Sequence, residues 1–439
     1  MFKKTIRIKN GIIYTGPKTN KVITGKNIYI ENNKIVEISP KIRKVDKVID
    51  AENRVVMPGF INAHMHFYST LVKGLSKIKP ARNFHEVLTN LWWKFDKKLS
   101  KDSIYYSSLI SSINAIKKGT TTIIDHHSSP SYIENSLLEI EKAVRKVGIR
   151  ACLCYEVSDR NGKQETERGI EENYNFIKHT QRKNDNFIKA MFGLHASFTL
   201  SNRTLEKVAS KTQSLDCGFH IHCAEDEIDE NNSIKKYGVR VVERLNKFQI
   251  TGEKSIFAHC VHINEKELEI IKQTQTNIVI NPQSNSNNAV GIADIFSFAK
   301  KGVIYGLGTD SMTLNMLEEM RAALFLNHLK NKNPSCCFTE VSKLIYNNFI
   351  IANKFFDNIG EISPGYFADI IISNYIPYTP INESNFYGHL IFGISQSQIR
   401  TTISDGNILM EDFILKINID ENEIAKKAKE ISLKIWNNF

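Results

Sequence analysis

The sequence predicts an α/β protein: a (β/α)8 TIM-like barrel with a small β-sandwich domain formed from both termini. Two observations lead there. Eight apolar, β-type runs lie between Pro58 and about residue 310, each followed by a helix or a loop and helix. Short strand-and-turn stretches without helical period precede the first run and return after the last. Strands alternating with helices are the pattern of a parallel sheet covered on its faces, and eight such units make a barrel.

The elements follow in order. Residues 1–57 read as "KTIRIKNGIIYTG", "KNIYIENNKIVEIS" and "KVIDAENRVVMP", punctuated by Asn-Gly and Asn-Asn turn signals. The barrel runs are "GFINAHMHF", "GTTTIIDHHSS", "GIRACLCYEV", "FIKAMFGLHASF", "CGFHIHCAE", "SIFAHCVHI", "TNIVINPQS" and "GVIYGLGTD". They are close to continuously apolar, as strands buried on both faces must be. Segments such as "SYIENSLLEIEKAVRKVG" and "NEKELEIIKQ" between them carry helical period and charge. After about residue 357, "GEISPGYFADIIISN" and "IRTTISDGNILMED" read as β again, and "NEIAKKAKEISLKIWNNF" as an amphipathic helix. The expected domains are 1–57 plus 357–415 as a composite β-sandwich, 58–356 as the barrel, and 416–439 as a C-terminal helix. A chain of 439 residues has room for two cores.

The formal charge of +11 invites a nucleic-acid reading. The lysines, however, are scattered among asparagines and isoleucines without a dense basic block, which describes a solvated surface. No run approaches the roughly 20 apolar residues of a bilayer span, and the basic N-terminus is not followed by an apolar core segment. The expectation is a cytoplasmic protein with neither nucleic acid nor membrane as partner. Seven cysteines without a C-x-x-C spacing fit reduced thiols. Cys152, Cys154, Cys223 and Cys260 are expected to pack inside.

In a barrel of this kind chemistry sits where strands end and the following loops begin. In "PGFINAHMHFYST", His64 and His66 are two apart, so in a strand both imidazoles face one side. The second run ends in His126 and His127, the fourth in His195, the fifth in His222 with Glu225 beyond it. The sixth ends in His259 and the eighth in Asp310. One histidine closing a strand is ordinarily a satisfied polar residue. Histidines closing five of eight strands, with a carboxylate closing the eighth, converge on one mouth. Three imidazoles and a carboxylate suit Zn2+ or Fe2+ with a position left for water. Glu225, three residues past His222, is placed to carry protons. His179, His262 and His328 read as surface or structural, and Trp92 and Trp93 as helix packing. The loop after the first strand is long enough to close over the mouth, where Arg82 would meet an anionic or carbonyl group.

These motifs resemble the amidohydrolase superfamily, in its aminohydrolase (deaminase and chlorohydrolase) branch. The matching stretches are "MPGFINAHMH", "HIHCAE", "AHCVH", "GLGTDS" followed by "LEEMR", and "ISPGYFADIII", in the family's order from 57 to 370. A narrower likeness, to SsnA-type aminohydrolases, rests on "DHHSSP", "SNSNNAVG" and "TPINESNFYGHLIFG". The resemblance implies His64, His66, His222 and Asp310 as ligands of one divalent ion, Zn2+ first and Fe2+ second. It implies Glu225 as proton shuttle and His259 as the group steadying the attacked centre, so that Glu225, His259 and Asp310 carry catalysis. His195, His127 and Arg82 are the expected substrate contacts, and a homodimer is implied. Two-metal members keep a bridging lysine at the end of the fourth strand, where this chain reads "GLHAS"; Lys189 lies earlier. Purine and pterin deaminases of the branch usually carry "ASNN" after the eighth-strand aspartate, where this chain reads "SMTLNM". The expected activity is hydrolytic deamination of a ring amidine in a nucleobase-like heterocycle, with release of ammonia. Hydrolysis of a C–Cl or cyclic amide bond on the same site is the alternative. A non-catalytic scaffold on this fold would be expected to have lost ligands, and all four are retained.

Overall fold

The structure is a computed structural model describing residues 4–76 and 78–439. Eight parallel strand positions form its centre. They are β1 (Phe60–Met65), β2 (Thr120–His127), β3 (Arg150–Tyr155), β4 (Phe192–Ala196), β5 (Phe219–Cys223), β6 (Ile256–His259), β7 (Asn277–Ile280) and β8 (Tyr305–Leu307). Every residue in them is buried, because helices cover one face and packed side chains fill the other. The helices are set by local chemistry. Ser100 and Ser103 form a capping box that starts Lys101–Lys117, and Gly148 ends Ser136–Val147 with φ 89°.

The parallel ladders fit a TIM-type barrel and are interrupted at two seams. Ladders join β1 to β2 to β3, and β4 through to β8. The run expected as one fourth strand is broken at Met191. Ile188–Ala190 pairs with β3, and β4 then shifts across to pair with β5. Single hydrogen bonds span the seam, Met191 N to Leu153 O at 3.1 Å and Val157 N to Gly193 O at 3.2 Å. At the other seam the His64 carbonyl accepts from Thr309 N at 2.9 Å and Asp310 N at 3.0 Å. Gly308 is required there, since a Cβ would sit 2.7 Å from the His64 carbonyl oxygen.

Two further sheets are built from the ends of the chain. One has four strands, in the order Lys34–Ser39, Asn27–Glu31, Thr5–Lys9 and Lys47–Asp50. The other has seven, and its central pairing sets Ile370–Ser373 antiparallel to Val55–Pro58. Ile6, Ile8, Ile28 and Ile30 of the first pack with Ile13, Val56, Ile370 and Ile403 of the second in one apolar cluster. The tail segment also holds a helix, Phe386–Phe392, inside a region read as β from the sequence. Its run "FYGHLIF" is too short for periodicity to separate helix from strand. Phe386 stacks on Tyr14 with ring centroids 3.6 Å apart. The last helix, Glu421–Asn437, is capped by Asp420 and lies on Lys101–Lys117, with Trp436 Nε1 donating to Leu71 O at 3.0 Å.

Arg150, fully buried at the start of β3, donates to Asp369 Oδ2 at 3.2 Å and Asp405 Oδ1 at 3.4 Å. It ties the barrel to the terminal sheets. Among the described residues no helix is long and apolar enough to cross a membrane.

Candidate active site

At the ends of β5, β6 and β8 the chain turns through left-handed residues: Ala224 (φ 47°), His259 (φ 74°) and Asp310 (φ 49°). Non-glycine residues held this way cost of order 1 kcal/mol each and concentrate at functional sites. Ala224 and His259 adjoin, and Asp310 lines, a cleft open to solvent with about 760 Å3 of space. Its floor carries His66, Glu156, His195, His222, Glu225 and Asp310. Phe84, Leu88, Trp92, Trp93 and Phe198 make apolar walls.

The hydrogen bonds fix which ring nitrogens face inward. His66 Nδ1 lies 2.5 Å from His126 O and His222 Nδ1 lies 2.9 Å from His195 O. Carbonyls only accept, so both Nδ1 atoms carry hydrogen, and in the neutral rings both Nε2 atoms present lone pairs. Those Nε2 atoms face each other at 3.2 Å. His64 engages His220 through Nδ1, at 2.8 Å, and its buried Nε2 has no partner among the described residues. Asp310 Oδ1 stands 3.1 Å from His66 Nε2. His64, His66 and Asp310 offer donor atoms within 4.8 Å of one another, as do His64, His222 and His259. Lone pairs turned on one another beside a carboxylate call for a cation. The donor set fits a divalent metal.

The charges agree. Burial lowers His66, yet the hydrogen bond and charge of Asp310 outweigh it and push the imidazole up to about 9. Burial raises Asp310, but the contact with His66 holds it far below the usual carboxylate range. His64 and His222 are held well below the ordinary histidine value, chiefly by burial. Burial, with the charge of Asp310 adding to it, pushes Glu225 well above the ordinary glutamate value. His259 Nε2 faces Glu225 Oε2 at 3.5 Å and Asp310 Oδ2 at 3.9 Å. Its Nδ1 is held between Asn285 Oδ1 at 2.7 Å and Asn281 Nδ2 at 3.4 Å. Ser284 donates to Asp310, and Asn288 to Glu225 Oε1 at 3.4 Å.

The structure brings His64, His66, His222, Asp310, Glu225 and His259 together, with His195 on the same cavity. It does not bring Arg82 or His127 there. Arg82 has a side chain 85% exposed and paired with Glu86 at 2.9 Å, satisfied at the surface. His127 points its Nε2 to Ser129 Oγ at 2.8 Å and packs between Tyr68 and Tyr155, since the neighbour of a mouth-facing strand residue turns away. Trp92 and Trp93, expected as helix packing in preference to a substrate platform, line the cavity. A π-helical turn over Leu88–Trp92 sets them there, a local distortion frequent at functional sites. Lys189 precedes the break at Met191 and pairs with Cys152, away from the strand ends. Reasoning from sequence missed Glu156 and His220. The i, i+2 argument used for His64 and His66 applies equally to His220 and His222.

The family model described as "Amidohydrolase family" matches residues 55–409, and the chain belongs to that family. A 5-methylthioadenosine/S-adenosylhomocysteine deaminase of Carboxydothermus hydrogenoformans is 33% identical, over 98% of this chain and 98% of its own. A 5'-deoxyadenosine deaminase of Methanobrevibacter smithii is likewise 33% identical, with 98% of each chain covered. Among solved structures, an adenosine deaminase from Xanthomonas campestris with bound zinc superposes with a TM-score of 0.84 at 19% identity, covering 99% of this chain and 98% of that one. An atrazine chlorohydrolase from Arthrobacter aurescens, complexed with zinc, gives 0.83 at 18% identity, with 97% and 100% covered. At such identities the likeness is one of fold.

Proposed function

We propose that the protein is a metal-dependent aminohydrolase that removes the exocyclic amine of a nucleobase-like ring amidine, releasing ammonia. An adenine-type ring is favoured by the names of the relatives described above. The observation that carries the reading is the meeting of one cation-seeking donor set with a second buried carboxyl, Glu225, at one cavity. His64, His66, His222 and Asp310 would hold one ion, Zn2+ first in view of the zinc-bound neighbours, and it would supply the Lewis acidity that lowers the pKa of water.

The chain's own groups do the rest. Asp310 accepts a proton from the attacking water. Glu225 delivers one to the ring nitrogen beside the attacked carbon, which becomes tetrahedral. His259, fixed through Nδ1 by Asn285, points Nε2 at Glu225 and Asp310 and steadies the attacked centre between them. Protonation of the departing amine through the same acid groups releases ammonia. Trp92, Trp93 and Phe198 give a flat ring apolar walls. An ammonia-release screen of purines, their nucleosides, pterins, pyrimidines and triazines, on Zn- and Fe-loaded enzyme, tests the reading. Chloride or a ring-opened product without ammonia would replace it with the halide or cyclic-amide alternative.

A further inference from the structure

Six carboxylates line the cavity, and five have hydrogen-bond donors. Asp96 has Ser128, Glu225 has Asn288, Asp226 has Ile228 N, Asp229 has Ala224 N and Phe198 N, and Asp310 has Ser284. Glu156 has none among the described residues. Its side chain is 4% exposed. Its backbone N–H donates to His127 O at 2.7 Å, which continues the line of β3 and carries the carboxylate into the mouth.

The imidazoles beside it do not serve it. His126 Nδ1 lies 3.3 Å from Glu156 Oε2, but the ring's hydrogen is on Nε2, shared between Leu194 O at 3.0 Å and His220 O at 3.1 Å. His195 Nε2, 3.8 Å from Oε1, is beyond hydrogen-bond reach. Arg160, the nearby cation, is spent on Asp96. A buried carboxylate without donors is costly, and such a group persists where a ligand supplies what the fold withholds.

We propose that Glu156 is a substrate-recognition residue whose two carboxylate oxygens accept hydrogen bonds from N–H or O–H donors on the substrate's non-reacting edge. The proposal rests on the cavity being the substrate site. Glu225, His259 and Asp310 come from the ends of β5, β6 and β8, whereas Glu156 follows β3 on the other side of the ring of strands. A heterocycle with its reacting carbon at the former turns its far edge to the latter. The donors that suit a carboxylate there are a ring N–H of a free base or the hydroxyls of an attached sugar. The rival role is metal ligation, since Glu156 falls within 4.8 Å of His66, His126 and His222 donor atoms. However, the Nε2 lone pairs of His66 and His222 are already turned toward each other and the Asp310 side.

The test is calorimetric binding to metal-loaded wild type, Glu156→Met and Glu156→Gln, with metal content measured on each. Two probe pairs separate the donor sources: adenine against 9-methyladenine for the ring N–H, and adenosine against 2',3'-dideoxyadenosine for the hydroxyls. Wild type should bind the donor-bearing member of one pair roughly tenfold more tightly or better, the usual worth of a hydrogen bond to a charged group. Met, of similar length without an acceptor oxygen, should erase that preference to within about twofold, and Gln should retain part of it. Metal content should not change. No preference in wild type, absence of binding included, overturns the proposal. So does a wild-type preference surviving in Met, or in Gln if Met does not fold, and so does loss of metal in either. Ammonia release is read separately: preference without turnover would reject the deaminase reading and leave the role of Glu156 standing.

Discussion

His64 and His220, from β1 and β5, meet ring to ring inside the barrel, with Nδ1 2.8 Å from Nε2. The far nitrogen of His220 lies 3.8 Å from Cys154 Sγ, whose thiol donates to Asp125 O at 3.5 Å. With the thiol hydrogen committed, sulfur accepts from His220 Nδ1. His220 Nε2 then accepts from His64 Nδ1, and the lone pair of His64 is left on its inward-facing Nε2. A histidine behind a ligand that fixes its tautomer and angle is worth about 10–100-fold in metal affinity. His220→Leu should therefore weaken zinc binding by that factor in competition with a chelator, with part recovered in His220→Gln. Unchanged affinity would mean that His64 orients itself.

Glu225 and Asp310 should separate proton transfer from metal holding. Glu225→Gln keeps the side chain's size but cannot pass a proton, so turnover should fall by roughly 10²–10⁴ at unchanged metal content. Asp310→Asn should lower both. His259→Ala should keep the metal and lose rate. A fully active Glu225→Gln enzyme would reject the mechanism while leaving the fold untouched.

Metal stoichiometry follows from the lone-pair count. Each inward Nε2 can bind one ion, and Lys189 is remote from the strand ends. Elemental analysis should give one divalent ion per chain, chelation should abolish activity, and one equivalent of Zn2+ should restore it. Two full equivalents, both needed for turnover, would refute the mononuclear centre.

Arg150 offers a test of how the terminal sheets are held. Its replacement by leucine leaves the buried Asp369 and half-buried Asp405 without their cation. Breaking a buried pair from one side costs about 3–5 kcal/mol. Denaturant unfolding of Arg150→Leu should show a loss of that order, whereas metal content, set at the opposite ends of the strands, should stay at the wild-type level. Undiminished stability would show that apolar packing alone holds the sheets to the barrel.

The strands and most donors were legible because two physical rules apply to them without tertiary knowledge. Doubly covered strands are apolar throughout, and residues two apart share a face. His220 obeys the same period as His222, two residues deeper, but does not close the strand. Glu156 follows the apolar run "RACLCY", a strand end that carries no histidine. Arg82, expected at the mouth, stays at the surface because an i, i+4 partner, Glu86, satisfies it there. The walls made by Trp92 and Trp93 depend on a π-helical turn that no sequence period announces. The break at Met191 is a register event between strands, and register is set by neighbours far away in the chain.

At the seam between β8 and β1, His64 has two duties. Its carbonyl takes the amides of Thr309 and Asp310, while its imidazole and the Asp310 carboxylate belong to one donor cluster. The residue that would grip the ion is thus also the buckle of the belt of strands. Pulling the ligands inward cinches the belt, and letting them go slackens it at that notch first. The Thr309 and Asp310 amides should exchange with solvent deuterium more slowly when zinc is bound than when it is stripped, making the ring's tightness a gauge of its cargo.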